Sequence, residues 1–449
     1  MTKFTARLLI LAALVTLGVA VQQRYRVNLK LQDPLGGHIN DFDRWMIMTP
    51  KFVHEGAGYV DDQLPTPPLT LMVLAPFTAL SRPAAQFVWV CVKLPLACLV
   101  LVFAVAIVRR TGGRLTPQAM ALLVAGWWLP IVLDMQEGQT NFLALLPLVA
   151  GLYVAQEETP IFDALAGLLI GLAIAIKVTP VVFALYFLWK RRWRVTLAAA
   201  GSLAIWSLVV PVVVFGFDRT LLWLSQWVRI MIVPYVTRGL VVYAMSQSFG
   251  SLALRLLSNV PAFETARNGV HEAHYMNLFA LDPAAVYQIV RAAMIAAGLA
   301  GVWWTRRRLE TLRCRSYLLE IGAVAAFMLW FSERTWVHHY VSFVLTLAAA
   351  GAVLSDEGEH ERTRRIVRRA LLLFAVATFF TSEAGIVFGL DGVDWTKGVG
   401  VFLWTSAIVT IAATYRWGPA PRRSPAADAL PALRYWSSSI LTPSPEPEE

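Results

Sequence analysis

The sequence predicts an all-α, polytopic membrane protein. Apolar runs of about 15–22 residues recur from end to end, the length a helix needs to cross the hydrocarbon layer. Charged residues make up only 15% of the chain against 57% apolar, where a soluble domain carries about 25% charged. The basic residues gather in short stretches between the apolar runs, as positive-inside topology requires.

The elements follow in order. Residues 1–21 carry Lys3 and Arg7 ahead of an apolar stretch ending Gly18-Val19-Ala20. Because further spans follow, this reads as an uncleaved first helix with a cytoplasmic N-terminus rather than a cleaved secretory signal. A polar loop runs through Asn40-Asp41-Phe42-Asp43-Arg44-Trp45 to Leu64-Pro65-Thr66-Pro67-Pro68-Leu69. Six candidate spans come next, at 69–81, 86–108, 116–133, 141–155, 161–176 and 178–189. The first loop is outside and Lys190-Arg191-Arg192-Trp193-Arg194 inside, so an odd number must cross. Either 161–189 is one long helix broken near Lys177 and Pro180, or one segment is re-entrant, held against protein or a wet cavity. This count leaves the side of Gly138-Gln139-Thr140-Asn141 open.

Residues 195–216 then go out, and 217–282 form a long outer segment. It begins with an amphipathic surface helix over 221–235 that bears Trp223 and Trp227. Residues 283–303 return to Arg306-Arg307-Arg308, 316–332 go out, 332–338 loop outside, and 339–354 come back. Residues 356–369 form a charged cytoplasmic loop. Spans over 370–389 and 398–415, joined by a turn at 391–397, complete the bundle. The total is about twelve spans, with both termini cytoplasmic. The membrane domain covers 1–415, and 416–449 is a tail too poor in apolar residues to fold alone.

The net charge of +10 does not indicate a nucleic-acid partner. Arg109-Arg110, Arg313, Arg315 and Arg422-Arg423 sit in loops or the tail, and no basic block is long enough for a binding stripe. Cys91, Cys98 and Cys314 have no metal spacing and read as packing residues. The chain has no Walker, GxGxxG, HExxH or GxSxG motif and no internal repeat.

Three polar constellations remain. Asp41 and Asp43 are two apart, so a helix points them to nearly opposite sides; an N-cap opening a helix at Phe42 explains the same residues. Lys177 interrupts an apolar run, where a charge costs about 2.5–3.5 kcal/mol on insertion scales. It either faces a cavity, an anion or a partner, or snorkels to the interface. In Ser332-Glu333-Arg334-Thr335-Trp336-Val337-His338-His339-Tyr340, adjacent histidines on a helix point about 100° apart and suit no shared metal. One ring can donate to a phosphate oxygen and Arg334 can grip one bidentately; an interfacial aromatic belt is the plainer explanation. Gln139 and Asn141, at a helix boundary, are hydroxyl binders or caps.

Taken in order, these residues resemble glycosyltransferase family 87, over roughly residues 10–415. The resemblance rests on Asp41, Pro67-Pro68-Leu69, Ala75-Pro76-Phe77, Gly138-Gln139-Thr140-Asn141, Gly167 to Lys177-Val178-Thr179-Pro180, the basic cluster at 190–194, Ser246-Gln247-Ser248 and Trp336-Val337-His338-His339. Trp45-Met46 and Thr66 depart from the aromatic residues usual in the family pattern. The resemblance implies a GT-C fold in a bacterial plasma membrane, with its site at the extracytoplasmic face. It implies a polyprenyl-phosphate sugar donor, mannose by preference, and a glycolipid or glycan acceptor. It carries the family's first-loop aspartate over to Asp41 and its histidine pair to His338 and His339.

The expectation is an inverting transfer. Asp41, a residue type ordinarily ionised at neutral pH, is the general base. His338 or His339, Arg334 and Lys177 stabilise the leaving phosphate, and Gln139 and Asn141 bind substrate. No metal or cofactor is called for. The competing expectations are a lipid-linked-sugar flippase or other transporter, and an O-antigen-ligase-like enzyme.

Overall fold

The computed structural model describes residues 41–59, 64–237, 245–267, 270–332, 334–387 and 389–415. The expected first helix in 1–21, Asn40, Glu333 and the 416–449 tail lie outside the described residues. The chain divides into a unit ending at Ala413, which holds the helix bundle, and a second beginning at Thr414.

The architecture is helical apart from one hairpin. Helix α1 (Asp41–Val53) buries Phe42, Trp45, Met46, Thr49 and Phe52, a spacing of three and four that makes one face. That face joins Leu71, Leu74, Trp89, Trp223 and Trp227 in one apolar cluster. Phe42 stacks on Trp89 at 5.2 Å, and Phe52 meets Trp223 edge-on at 5.4 Å. Each such side chain contributes about 1.5–3 kcal/mol on burial, which is what seats a short, polar-topped helix on the bundle.

Six helices follow, the last five of which run between two polar ends. Helix α2 (Pro68–Leu74) and its 3₁₀ continuation Ala75–Ala79 come first, followed by α3 (Arg82–Arg110), α4 (Pro117–Glu137), α5 (Asn141–Val154), α6 (Pro160–Ile176) and α7 (Val181–Trp189). Helix α3 begins beside α1 through Gln86 and ends where Arg110 pairs with Glu157 at 2.5 Å. Helix α4 returns to Gln139, which bonds Asp41. Helix α5 runs back to Glu157, and α6 comes up to Lys177, which bonds Asn141. Helix α7 descends to Lys190, which reaches the Thr305 carbonyl at 2.6 Å and Glu320 at 2.9 Å. These five runs between the two ends are odd in number, and of them α3 and α4 are long and apolar enough to cross a membrane. The candidate at 69–81 does not cross: Thr70 donates to the Ile176 carbonyl at 3.2 Å and Phe77 packs on Phe42 at 6.1 Å, so α2 stays at the Asp41 end. The segment 161–189 breaks as expected, but its halves are separate passes. Lys177 caps α6 in an extended conformation (φ −147°, ψ 125°), three residues before Pro180.

Helix α8 (Trp193–Phe215) packs closely on α6. A Cβ at Gly167 or Gly171 would meet the Val195 and Ala199 carbonyls of α8, so the Gly-x₃-Gly spacing lets the two backbones approach. The amphipathic helix lies at α9 (Phe217–Trp227), with Trp223 and Trp227 buried. It continues through a wide turn into α10 (Val233–Thr237). The outer segment also holds α11 (Phe249–Leu257) and an antiparallel hairpin, β1 (Phe263–Arg267) with β2 (Val270–His274), in register Phe263 to His274. The hairpin was not anticipated from the sequence.

The rest is α12 (Pro283–Trp304), α13 (Arg315–Trp330), a 3₁₀ turn Val337–Phe343 leading into α14 (Val344–Ser355), α15 (Glu361–Val387), α16 (Gly389–Gly398) and α17 (Val401–Thr414). The basic loops meet at one end, as positive-inside placement predicts. There Arg313 pairs with Glu157 at 2.7 Å, Arg192 with Glu158 at 2.5 Å, and Arg315 with Asp356 at 3.0 Å and Glu359 at 2.6 Å. Among the described residues five helices are long and apolar enough to cross a membrane, six if the bent pair Gly392–Gly398 and Val401–Thr414 is one span. The expected twelve exceeds this because it also counts the first helix, four helices of 17 residues or fewer (α5, α6, α7 and α13) and the charge-rich α15.

Candidate functional site

Asp41 stands at the start of α1, at the end of the bundle where α3 begins. Its carboxylate accepts a hydrogen bond from Gln139 Nε2 and lies 3.6 Å from the Arg44 guanidinium, with the side chain 30% exposed. Asp43 points elsewhere, as the two-residue offset on a helix dictates. It is fully buried and accepts from Gln86 Nε2. Of the two carboxylates, Asp41 is the accessible one.

Gln139 is held by the turn between α4 and α5. Gly138 takes a left-handed conformation (φ 67°, ψ 28°) that closes α4, and its carbonyl accepts from Trp89 Nε1 at 2.7 Å. Two residues on, Asn141 opens α5. Its Nδ2 donates to Asp134 Oδ2 at 2.8 Å and to the His338 carbonyl at 3.4 Å, while its Oδ1 accepts from Lys177. The one turn therefore presents Gln139 to Asp41 and Asn141 to Lys177, and both Asp41 and Asp134 lie within electrostatic reach of that lysine.

A cleft opens below this turn. Asn141, Lys177, Arg334 and His339 line it together with Thr179, Ser332 and the apolar Leu145, Leu148, Met328 and Leu329. Four of the six residues expected to bind substrate thus share one cavity. Gln139 sits with Asp41 instead. His338 is buried beside the cleft, stacked near Trp336 and edge-on to His339 at 4.5 Å, and its Nε2 has no hydrogen-bond partner among the described residues. His339 Nδ1 accepts from the Trp336 backbone at 3.0 Å. A neutral imidazole that accepts at Nδ1 carries its proton on Nε2, so this ring offers a donor.

The loop bearing Arg334 is pinned from outside. Gln247 N donates to the Thr335 carbonyl at 2.6 Å, Thr335 N donates to Ser246 Oγ at 2.9 Å, and Tyr340 donates to the Gln247 carbonyl at 3.2 Å. Ser246-Gln247-Ser248 is thus a clamp on the Arg334–His339 turn.

Two charged residues at this site escaped the sequence reading. Lys93 and Asp134 are fully buried and 2.6 Å apart. Each interrupts an apolar run, Val90-Cys91-Val92-Lys93-Leu94 and Ile131-Val132-Leu133-Asp134-Met135. That is the signal that singled out Lys177, and it applies equally to them. Gln86 carried no such signal.

Chemically, the arrangement offers an accessible carboxylate beside a cleft whose polar wall is cationic and hydrogen-bond-donating and whose other wall is apolar. Such a lining suits an anionic group. No curated protein and no solved structure matches the chain. The model of glycosyltransferase family 87 matches residues 66–332, a stretch that includes Gln139, Asn141 and Lys177 and stops short of Asp41 on one side and of Arg334, His338 and His339 on the other. The match covers more than half of a chain that is helical apart from one hairpin and has helices able to span a membrane: this protein belongs to glycosyltransferase family 87 and is a membrane glycosyltransferase.

Proposed function

We propose that the protein moves a sugar, mannose by family preference, from a polyprenyl-phosphate donor to an acceptor hydroxyl at the extracytoplasmic membrane face, with inversion and on a GT-C scaffold. The observation that carries this reading is the shared turn at 138–141, which ties Asp41 through Gln139 and Lys177 through Asn141. It sets a carboxylate and a cationic cleft side by side.

In the proposed step the Asp41 carboxylate takes the proton of the acceptor hydroxyl. The hydroxyl oxygen attacks the anomeric carbon on the face opposite the phosphate. The bond from that carbon to the phosphate oxygen breaks, its electron pair leaves with the phosphate, and polyprenyl phosphate departs with one more negative charge than it carried as a diester. Lys177, Arg334 and the His339 Nε2–H meet that charge, and electrostatic stabilisation of this kind often contributes more to catalysis than any other effect. Gln139 orients the base. The scheme draws on no metal or cofactor.

The test is transfer of labelled sugar from polyprenyl-phosphate-mannose into a crude membrane acceptor fraction, for the parent chain and for Asp41→Asn. Transfer by the parent that disappears in the variant supports the reading. Equal transfer by both removes Asp41 from the chemistry, and failure by both sends the donor assignment back to other lipid-linked sugars.

A further inference from the structure

The Lys93–Asp134 pair has no part in the transfer step, yet both side chains are fully buried, Nζ 2.6 Å from Oδ1, on helices that cross the membrane. Such a pair is weak evidence of stabilisation, because apolar residues of similar volume often serve as well or better. An ionisable group at membrane depth points instead to function.

The hydrogen bonds give that function a direction. Lys93 also donates to the Asp134 carbonyl at 2.6 Å. Asp134 Oδ2 accepts from Asn141 Nδ2 at 2.8 Å, and Asn141 Oδ1 accepts from Lys177. Asn141 and Lys177 line the cleft, while Lys93 and Asp134 stand behind it. An amide has donors on one arm and an acceptor on the other, whereas a carboxylate only accepts. Asp134 therefore holds the amino arm of Asn141 and turns its carbonyl to Lys177. By formal charge Lys93 answers Asp134, so the aspartate does not neutralise the lysine at the cleft wall.

We propose that Lys93 and Asp134 are positioning residues for the donor's phosphate. They orient the Asn141 amide, which holds the Lys177 ammonium at the cleft, and they leave its charge to an anionic ligand. This rests on the reading that the cleft receives the donor phosphate.

Two charge-neutral double variants test it in the full chain, in lipid, with polyprenyl phosphate lacking the sugar as a competitive probe. Lys93→Met with Asp134→Asn keeps an oxygen that accepts from Asn141. Lys93→Met with Asp134→Leu does not. The first is expected to hold the parent's donor KM and inhibition constant. The second is expected to raise both about tenfold, the loss of one oriented charge-assisted hydrogen bond, with kcat changed less and the unfolding temperature held. Parental constants in the second variant, or equal increases in both, overturn the proposal. Should the second variant fail to fold, Lys93→Met with Asp134→Val takes its place: it is also charge-neutral and lacks the acceptor, and parental constants in it overturn the proposal. A parent enzyme that transfers sugar but ignores polyprenyl phosphate overturns the donor reading and this proposal with it. A parent that is inhibited, with both double variants inhibited alike, overturns the positioning role alone.

Discussion

Gln139 donates a hydrogen bond to Asp41 across 98 positions of sequence. That bond ties the 138–141 turn to α1 and orients a carboxylate that also lies 3.6 Å from Arg44.

Asp41→Asn should lower turnover by about 10²–10⁴-fold, the usual contribution of a general base, and leave donor affinity within a few-fold of the parent's. Single-turnover transfer and equilibrium binding of the lipid donor separate the two. A variant that turns over at the parental rate would show that the base lies elsewhere.

Asp43 should behave differently. Asp43→Leu removes the buried acceptor that Gln86 uses, a change worth about 1–3 kcal/mol, and should lower the unfolding temperature. Asp43→Asn keeps an acceptor and should keep most activity. A loss of turnover in Asp43→Asn as deep as in Asp41→Asn would mean that the wrong carboxylate has been assigned.

Lys177→Met should weaken the donor interaction by about 1.5–3 kcal/mol, the range for a hydrogen bond to a charged group, or roughly tenfold to a hundredfold in KM. The measurement is KM for the lipid donor at saturating acceptor, and an unchanged value counts against a phosphate beside Lys177.

Gly138→Asn should destabilise the protein although asparagine tolerates left-handed backbone better than most residues. Relief of φ 67° is not enough, because any Cβ at this position overlaps the Cβ of Phe42. Thermal unfolding in detergent should show a lower midpoint, and transfer activity should fall with it, since Gln139 is displaced from Asp41.

On the basic face, partial burial of Glu359 opposes ionisation, but the hydrogen bond from Arg315 at 2.6 Å and its charge outweigh that and hold the carboxyl below its ordinary 4.5. A depressed carboxyl adds stability above the unfolded value and loses it as pH falls through the folded one. The difference in unfolding temperature between the parent and Glu359→Gln should therefore be full at neutral pH and shrink below about 4.5. A difference independent of pH would rule out the ion pair as its source.

Much of the site was legible one residue at a time. Asp41, Lys177 and the histidine turn each stood out because a polar group amid apolar sequence needs a partner, and Lys93 and Asp134 were open to the same argument. Their partners were not legible. Nothing in the neighbourhood of Asn141 says that its amide lies between Asp134 and Lys177, and nothing near Ser246 says that it receives the Thr335 backbone.

The sequence by itself determined that the chain is a helical membrane protein, where its long spans lie, and that its basic loops share one face. Apolar length and charge placement act locally, on each segment against the bilayer, so they can be read without knowing what the segment touches. Tertiary structure alone decided that 69–81 stays at the Asp41 end, that 161–176 and 178–189 are separate passes, and that Gln139 and Asn141 join the carboxylate to the cleft. A short apolar helix is equally content in lipid or against protein, and a buried polar side chain is satisfied only by a partner brought from far along the chain. Those choices are made by contacts, which exist only once the helices have packed.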